Sequence, residues 1–122
     1  MKLHQSKVKN VNQFTGYDTS SVKVNDERFE GSVLVLPNAV HSFRPTSFAD
    51  LQADDFAALL EFEPELVLLG TGSKIQFPHP QLFAALSAKR IGLDAMDTGA
   101  LCRTFNVLTA EDRRVLALVL HK

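Results

Sequence analysis

Three short apolar runs constrain this chain more than anything else in it: Ser32-Val33-Leu34-Val35-Leu36, Leu66-Val67-Leu68-Leu69 and Val115-Leu116-Ala117-Leu118-Val119-Leu120. A strand with one wet face alternates apolar and polar residues, whereas an unbroken apolar run marks a strand covered on both faces. Periodicity alone leaves the last run open to helix or strand. Its repeated valines and leucines, and the shortage of other strands, favour a strand.

Around these runs the pattern resolves into elements. Ser21 to Asn25 alternates, Asp26-Glu27-Arg28 turns, and Phe29 to Leu36 returns, which predicts a β-hairpin with a loop of three residues or slightly more. A short strand is expected around Val40 to Phe43. Helices begin after residue 50. In ADDFAALLEFEP, Phe56, Leu59 and Leu60 share a face, Asp54 and Asp55 suit the first turn, and Pro64 is the stop. Pro80 opens a second helix with Leu82, Phe83 and Leu86 inward and Lys89-Arg90 in its last turn. Strand 66–69, helix 81–90 and strand 91–95 have the size of a βαβ unit, so the two strands are parallel. Asp97 or Thr98 caps a third helix that turns Leu101, Phe105 and Leu108 inward. The expected fold is α/β: a single three-layer domain over 1–122, with a mixed central sheet, helices on its faces and an N-terminal antiparallel β-hairpin. Residues 1–13 are expected to be a loosely ordered or edge segment.

Composition excludes several classes. The net charge of −1 lacks the electrostatic footprint of a nucleic-acid binder. No apolar run approaches the roughly 20 residues of a membrane span. The start MKLHQSKVKNVNQ lacks the apolar segment of a secretory signal, and the lone Cys102 suits a reducing compartment, so the expected location is cytoplasmic. His4, His41, His79 and His121 have no partner at helical spacing, which predicts no metal site, and no cofactor is expected. Cys102, inside the third helix, reads as an inert thiol.

The stretch LVLLGTGSKI raises the question of ligand binding. Gly70-Thr71-Gly72-Ser73 follows a parallel strand, at the sheet edge where α/β ligands bind, and Asp97-Thr98-Gly99 should emerge beside it. Backbone N–H groups at Gly70 and Gly72 with charge from Lys74 and Arg103 would suit an anion, Asp97 or Asn106 would add a polar contact, and Thr98 belongs to the same crevice. The spacing matches neither GxGxxG opening into a helix nor GxxxxGK[ST]. A tight glycine turn explains the same residues equally well. Phe77, between Gln76 and Pro78, is a large apolar residue outside any helix or strand; it either covers the core or is an exposed anchor for a partner, a candidate partner contact. An uncovered hairpin edge makes a homodimer a further expectation.

Several motifs in order, GSVLVLP (31–37), VLLGTGS (67–73), MDTGALCRTFNVL (96–108) and EDRRVLALVL (111–120), resemble the family numbered 498 among domains of unknown function. The resemblance runs from about Phe14 onward. Its matching positions are Gly31, Pro37, Gly70, Gly72, Met96, Thr98, Ala100, Asn106, Arg113 and Val115; the place of Phe105 is often tyrosine in the family. The resemblance implies a mixed sheet with helices in three layers. Because its mitochondrial branch, a complex I assembly factor, acts through protein partners, it also implies a non-catalytic binding or assembly module. The alternative reading is a small-ligand or anion-binding protein, or an enzyme, using the crevice.

Overall fold

The computed structural model describes residues 11–122. Residues 1–10 of the expected loose or edge segment lie outside the described residues. Within 11–13, Asn12 is tied down: its side-chain amide donates to the Leu36 carbonyl at 2.8 Å, and its N–H to that of Pro37 at 2.8 Å.

Strands β1 (Phe14–Tyr17), β2 (Ser21–Val24) and β3 (Glu27–Glu30) make an antiparallel three-stranded sheet. A second, mixed sheet contains β4 (Val33–Leu36), β5 (Ala39–Ser42), β6 (Leu66–Thr71), β7 (Gly92–Met96) and β8 (Val115–Leu120), in the order β5-β4-β8-β6-β7. β6 is parallel to β7 and β8, while β4 is antiparallel to β5 and β8. Helix α1 (Ala53–Ala57) continues as a 3-10 turn, Ala58–Phe62. A 3-10 turn, Pro80–Phe83, leads into α2 (Ala84–Ala88), and α3 spans Thr98–Ala110.

The continuous apolar runs have a direct cause. In β8, Val115, Ala117 and Val119 pack with Leu101 and Phe105 of α3 and with Phe14, Val22 and Val24 of the small sheet. Leu116, Leu118 and Leu120 point the other way, to Phe56, Leu59 and Leu86. β4 divides likewise, with Val33 and Val35 on one face and Leu34 and Leu36 on the other. All six residues of β8 are fully buried, so the strand has no wet face on which polar residues would alternate. The layers are therefore α1 and α2, the five-stranded sheet, and α3 with the small sheet.

The expected hairpin differs in detail. Its loop is two residues long, because Asn25 (φ 52°) and Asp26 (φ 69°) both adopt the left-handed conformation and Val24 pairs directly with Glu27. Asn and Asp tolerate that region better than other side chains, and two positive φ angles give the turn that suits strand twist. The predicted return strand 29–36 is in fact two strands in two sheets. Gly31 (φ 74°) breaks it, and the chain crosses from β3 to β4. The second helix also ends earlier than predicted. Lys89 and Arg90 follow α2, and Arg90 (φ 61°) is left-handed, which terminates the helix before β7.

An ion-pair lock closes the loop between β5 and α1. Arg44 Nε and Nη2 reach Asp55 Oδ1 and Oδ2 at 2.9 and 2.7 Å, and Arg44 Nη2 also donates to the Asp50 carbonyl at 2.7 Å. Asp55 Oδ2 accepts the Gln52 N–H at 2.8 Å, completing a capping box at α1. The Asp55 side chain is only 8% exposed, and the bond from Arg44 holds its carboxyl below the ordinary aspartate range. A depressed folded-state pKa contributes stability above the unfolded value, and that stability is lost as pH falls through the folded value. Asp55→Asn is therefore expected to lower Tm at pH 7 by roughly 5 °C, with the gap from wild type closing below pH 4. Thermal melts at pH 7, 4 and 2.5 check this; an unchanged gap at every pH would contradict it.

Candidate functional site

The carboxyl ends of β6 and β7 carry the two loops singled out by sequence, and a backbone bond joins them: the Thr98 N–H donates to the Gly72 carbonyl at 3.0 Å. Asp97 caps α3, its Oδ1 accepting the Ala100 N–H at 2.8 Å. Beyond this junction lies a cleft of about 430 Å3. Gly72 and Ser73 form one wall and Asp97, Thr98 and Gly99 another. Tyr17, Asp18 and Thr19, at the end of β1, and His121, just after β8, complete it.

The predicted crevice residues divide between this cleft and structural duties. Gly72, Ser73, Asp97 and Thr98 line it. Gly70 does not supply a loop donor as expected, because it is inside β6 and paired with Met96 and Val119. A side chain there would put its Cβ 2.9 Å from Leu101 Cδ1, so glycine lets α3 approach the sheet. Thr71 is the last residue of β6. Its buried hydroxyl donates to the Lys74 carbonyl and accepts the Gln76 N–H at 3.1 Å, folding the following loop back on itself. Lys74 and Arg103 are exposed and are not among the lining residues. Asn106 clamps β1 instead: Oδ1 accepts the Phe14 N–H at 2.8 Å and Nδ2 donates to the Phe14 carbonyl at 2.9 Å.

The cleft lining carries two carboxylates, Asp18 and Asp97, and neither lysine nor arginine. Asp18 is committed to its own turn, where Oδ1 accepts the N–H groups of Ser20 (2.9 Å) and Ser21 (2.8 Å) and the Ser21 hydroxyl (2.9 Å). These bonds, led by that from Ser20, hold its carboxyl below the ordinary range. His121 Nε2 lies 3.0 Å from the Gly31 carbonyl, which can only accept, so Nε2 carries the proton. His121 Nδ1 is buried, and no partner reaches it among the described residues. Cys102 is 6% exposed, and burial pushes its thiol up to about 11, which keeps it protonated and unreactive at neutral pH. No group of three or more His, Cys, Asp or Glu positioned to hold a metal occurs among the described residues.

Sequence reasoning missed Tyr17, Asp18, Thr19 and His121. They reach the cleft only because the small sheet docks beside α3 and β8 ends next to Gly72. No local motif reports either contact.

Phe77 is 75% exposed and Ile75 52%, both on the loop that Thr71 folds back. The neighbouring His79 instead caps the 3-10 turn, its Nδ1 accepting the Gln81 N–H at 3.1 Å.

A mixed sheet between two helices on one face and a helix with a small antiparallel sheet on the other defines a compact class of α/β domains. The chain belongs to the family of proteins of unknown function DUF498/DUF598, whose model matches residues 14–120. A crystal structure of a Bordetella parapertussis protein is 34% identical with a TM-score of 0.84, covering 90% of this chain and 95% of that one. The NMR structure of a Xanthomonas campestris protein is 33% identical with a TM-score of 0.82, covering 98% and 92%. Mouse NADH dehydrogenase [ubiquinone] 1 alpha subcomplex assembly factor 3 is 30% identical over 115 residues, 93% of this chain. The chain spans 62% of the length of that relative.

Proposed function

We propose that this chain is a non-catalytic, assembly-type module that acts in the cytoplasm by binding another protein. The observation that carries the reading is the apolar pair Ile75 and Phe77, presented on a loop that Thr71 holds in shape. An exposed aromatic carried on a loop whose backbone is held before contact gives up little backbone freedom on binding, which suits an interface anchor. The likeness to a protein named as a respiratory-complex assembly factor supports the same reading. So does the cleft, whose carboxylates Asp18 and Asp97 are engaged in holding a turn and capping a helix. Among the described residues no helix is long and apolar enough to cross a membrane.

Phe77→Ala tests this directly. The tagged wild-type protein is expected to capture a specific protein from its own lysate, and the variant to recover at least about tenfold less, with Tm unchanged because the ring is exposed. Equal recovery by both proteins, or no specific protein with either, would sink the reading.

A further inference from the structure

The outer face of α3 carries a stripe that is complementary to itself. Arg103, Val107 and Glu111, at steps of four residues, are all exposed, with Val107 at 57%. Glu111 is the C-cap, so the stripe runs to the end of the helix. One turn earlier, Gly99 is covered by Tyr17: a Cβ at Gly99 would lie 2.6 Å from the Tyr17 hydroxyl and 3.3 Å from Arg103 Nη1. The Tyr17 side chain, 53% exposed, thus stands next to Arg103 at the N-terminal end of the stripe.

The charges on this stripe are unspent. Arg28, Arg44, Arg113 and Arg114 each pair with a carboxylate, whereas Arg90 and Arg103 do not among the described residues. Arg103 and Glu111 have no ion pair or side-chain hydrogen bond among the described residues. They are also eight residues apart on one helix, with Val107 midway.

We propose that this face of α3 is an interface between two copies of the chain, related by a two-fold axis through Val107. In that arrangement the helices run antiparallel, the two valines meet on the axis, and Arg103 of each copy faces Glu111 of the other. Each pair lies about 6 Å along the helix from the axis, from the 1.5 Å rise per residue. Packing of two rows spaced i, i+4 is the commonest helix–helix geometry in globular proteins. An isologous contact needs a patch that complements its own rotated image, and a positive–apolar–negative row does so. Contact through one helix each, with Tyr17 at the margin, falls at the small end of stable interfaces, so the dimer is a weak one. The proposal involves a different element from the Phe77 loop and does not depend on it.

Sedimentation velocity across roughly 5–500 µM protein tests it through charge reversal. The wild type is expected to dimerise, and Arg103→Glu or Glu111→Arg alone to raise Kd by at least about tenfold, since each reversal places like charges opposite one another twice. The Arg103→Glu/Glu111→Arg double variant should return to within about threefold of wild type. An equimolar mixture of the two single variants should form a heterodimer with all pairs opposite in charge. Both positions are exposed, and Glu111→Arg places a positive charge at the C-terminal end of the helix, so the fold should persist; circular dichroism checks this. A wild type that stays monomeric throughout the range overturns the proposal. So do single variants that dimerise like wild type, or a double variant that fails to recover.

Discussion

Gly72→Ala is expected to lower stability by about 3 kcal/mol, through two costs that add. Gly72 has φ of 86°, where an alanine side chain crowds its own backbone at a cost of roughly 1–2 kcal/mol. Its new Cβ would also sit 2.7 Å from the His121 carbonyl oxygen and 3.0 Å from the carbonyl carbon. Those are backbone atoms directly after the buried strand β8, so they cannot swing aside as a flexible side chain would. Forcing them apart costs a further 1–3 kcal/mol or so. The expected drop in Tm is on the order of 10 °C. Gly16→Ala is the control: the nearest atoms to its Cβ belong to the flexible Lys23 side chain, at 3.6 Å and beyond, and Tm should stay nearly unchanged. Equal melting of both variants and wild type would show that Gly72 is not required by the geometry of this turn.

Phe105→Ala should cost about 4 kcal/mol, as expected for a large aromatic removed from a rigid core. The ring is 0% exposed and meets the edge of Phe14, with centroids 5.1 Å apart and planes at 79°. The pair joins α3 to the small sheet, next to the Asn106 clamp on Phe14. Deleting the ring therefore loosens the docking of a whole sheet as well as opening a cavity. Urea unfolding of Phe105→Ala and Phe105→Leu should rank them with alanine clearly worse. A loss below about 1 kcal/mol for alanine would mean that this seam contributes little to the fold.

Much of the architecture was legible because it rests on periodicity. The unbroken run at 32–36 announced a strand covered on both faces, 66–69 a short buried strand, and the βαβ spacing announced β6 and β7 as parallel. The strand-or-helix ambiguity over 115–120 resolves because β8 is central, with β4 and β6 as neighbours. Turn chemistry was harder to read. Asn25-Asp26 forms a tight two-residue turn without the usual glycine, and the continuous run from Phe29 to Leu36 concealed the bend at Gly31.

The site was legible only in part, for a related reason. Gly72, Asp97 and Thr98 lie at the sheet edge that connection rules single out, and those rules place them near one another. Nothing local says that Asn106 turns toward β1, that Gly70 is within a strand, or that Tyr17 arrives from a second sheet. These are contacts between residues 26 to 92 positions apart, and they follow from packing rather than pattern.

The claim that Phe77 anchors a protein partner is open to one direct measurement: a photo-reactive amino acid placed at position 77 and irradiated in the producing cell. Asn38, exposed in the turn between β4 and β5, serves as the comparison position. The account predicts a discrete protein adduct from position 77 that is absent from position 38. No adduct at 77, or the same adducts from both positions, would contradict it.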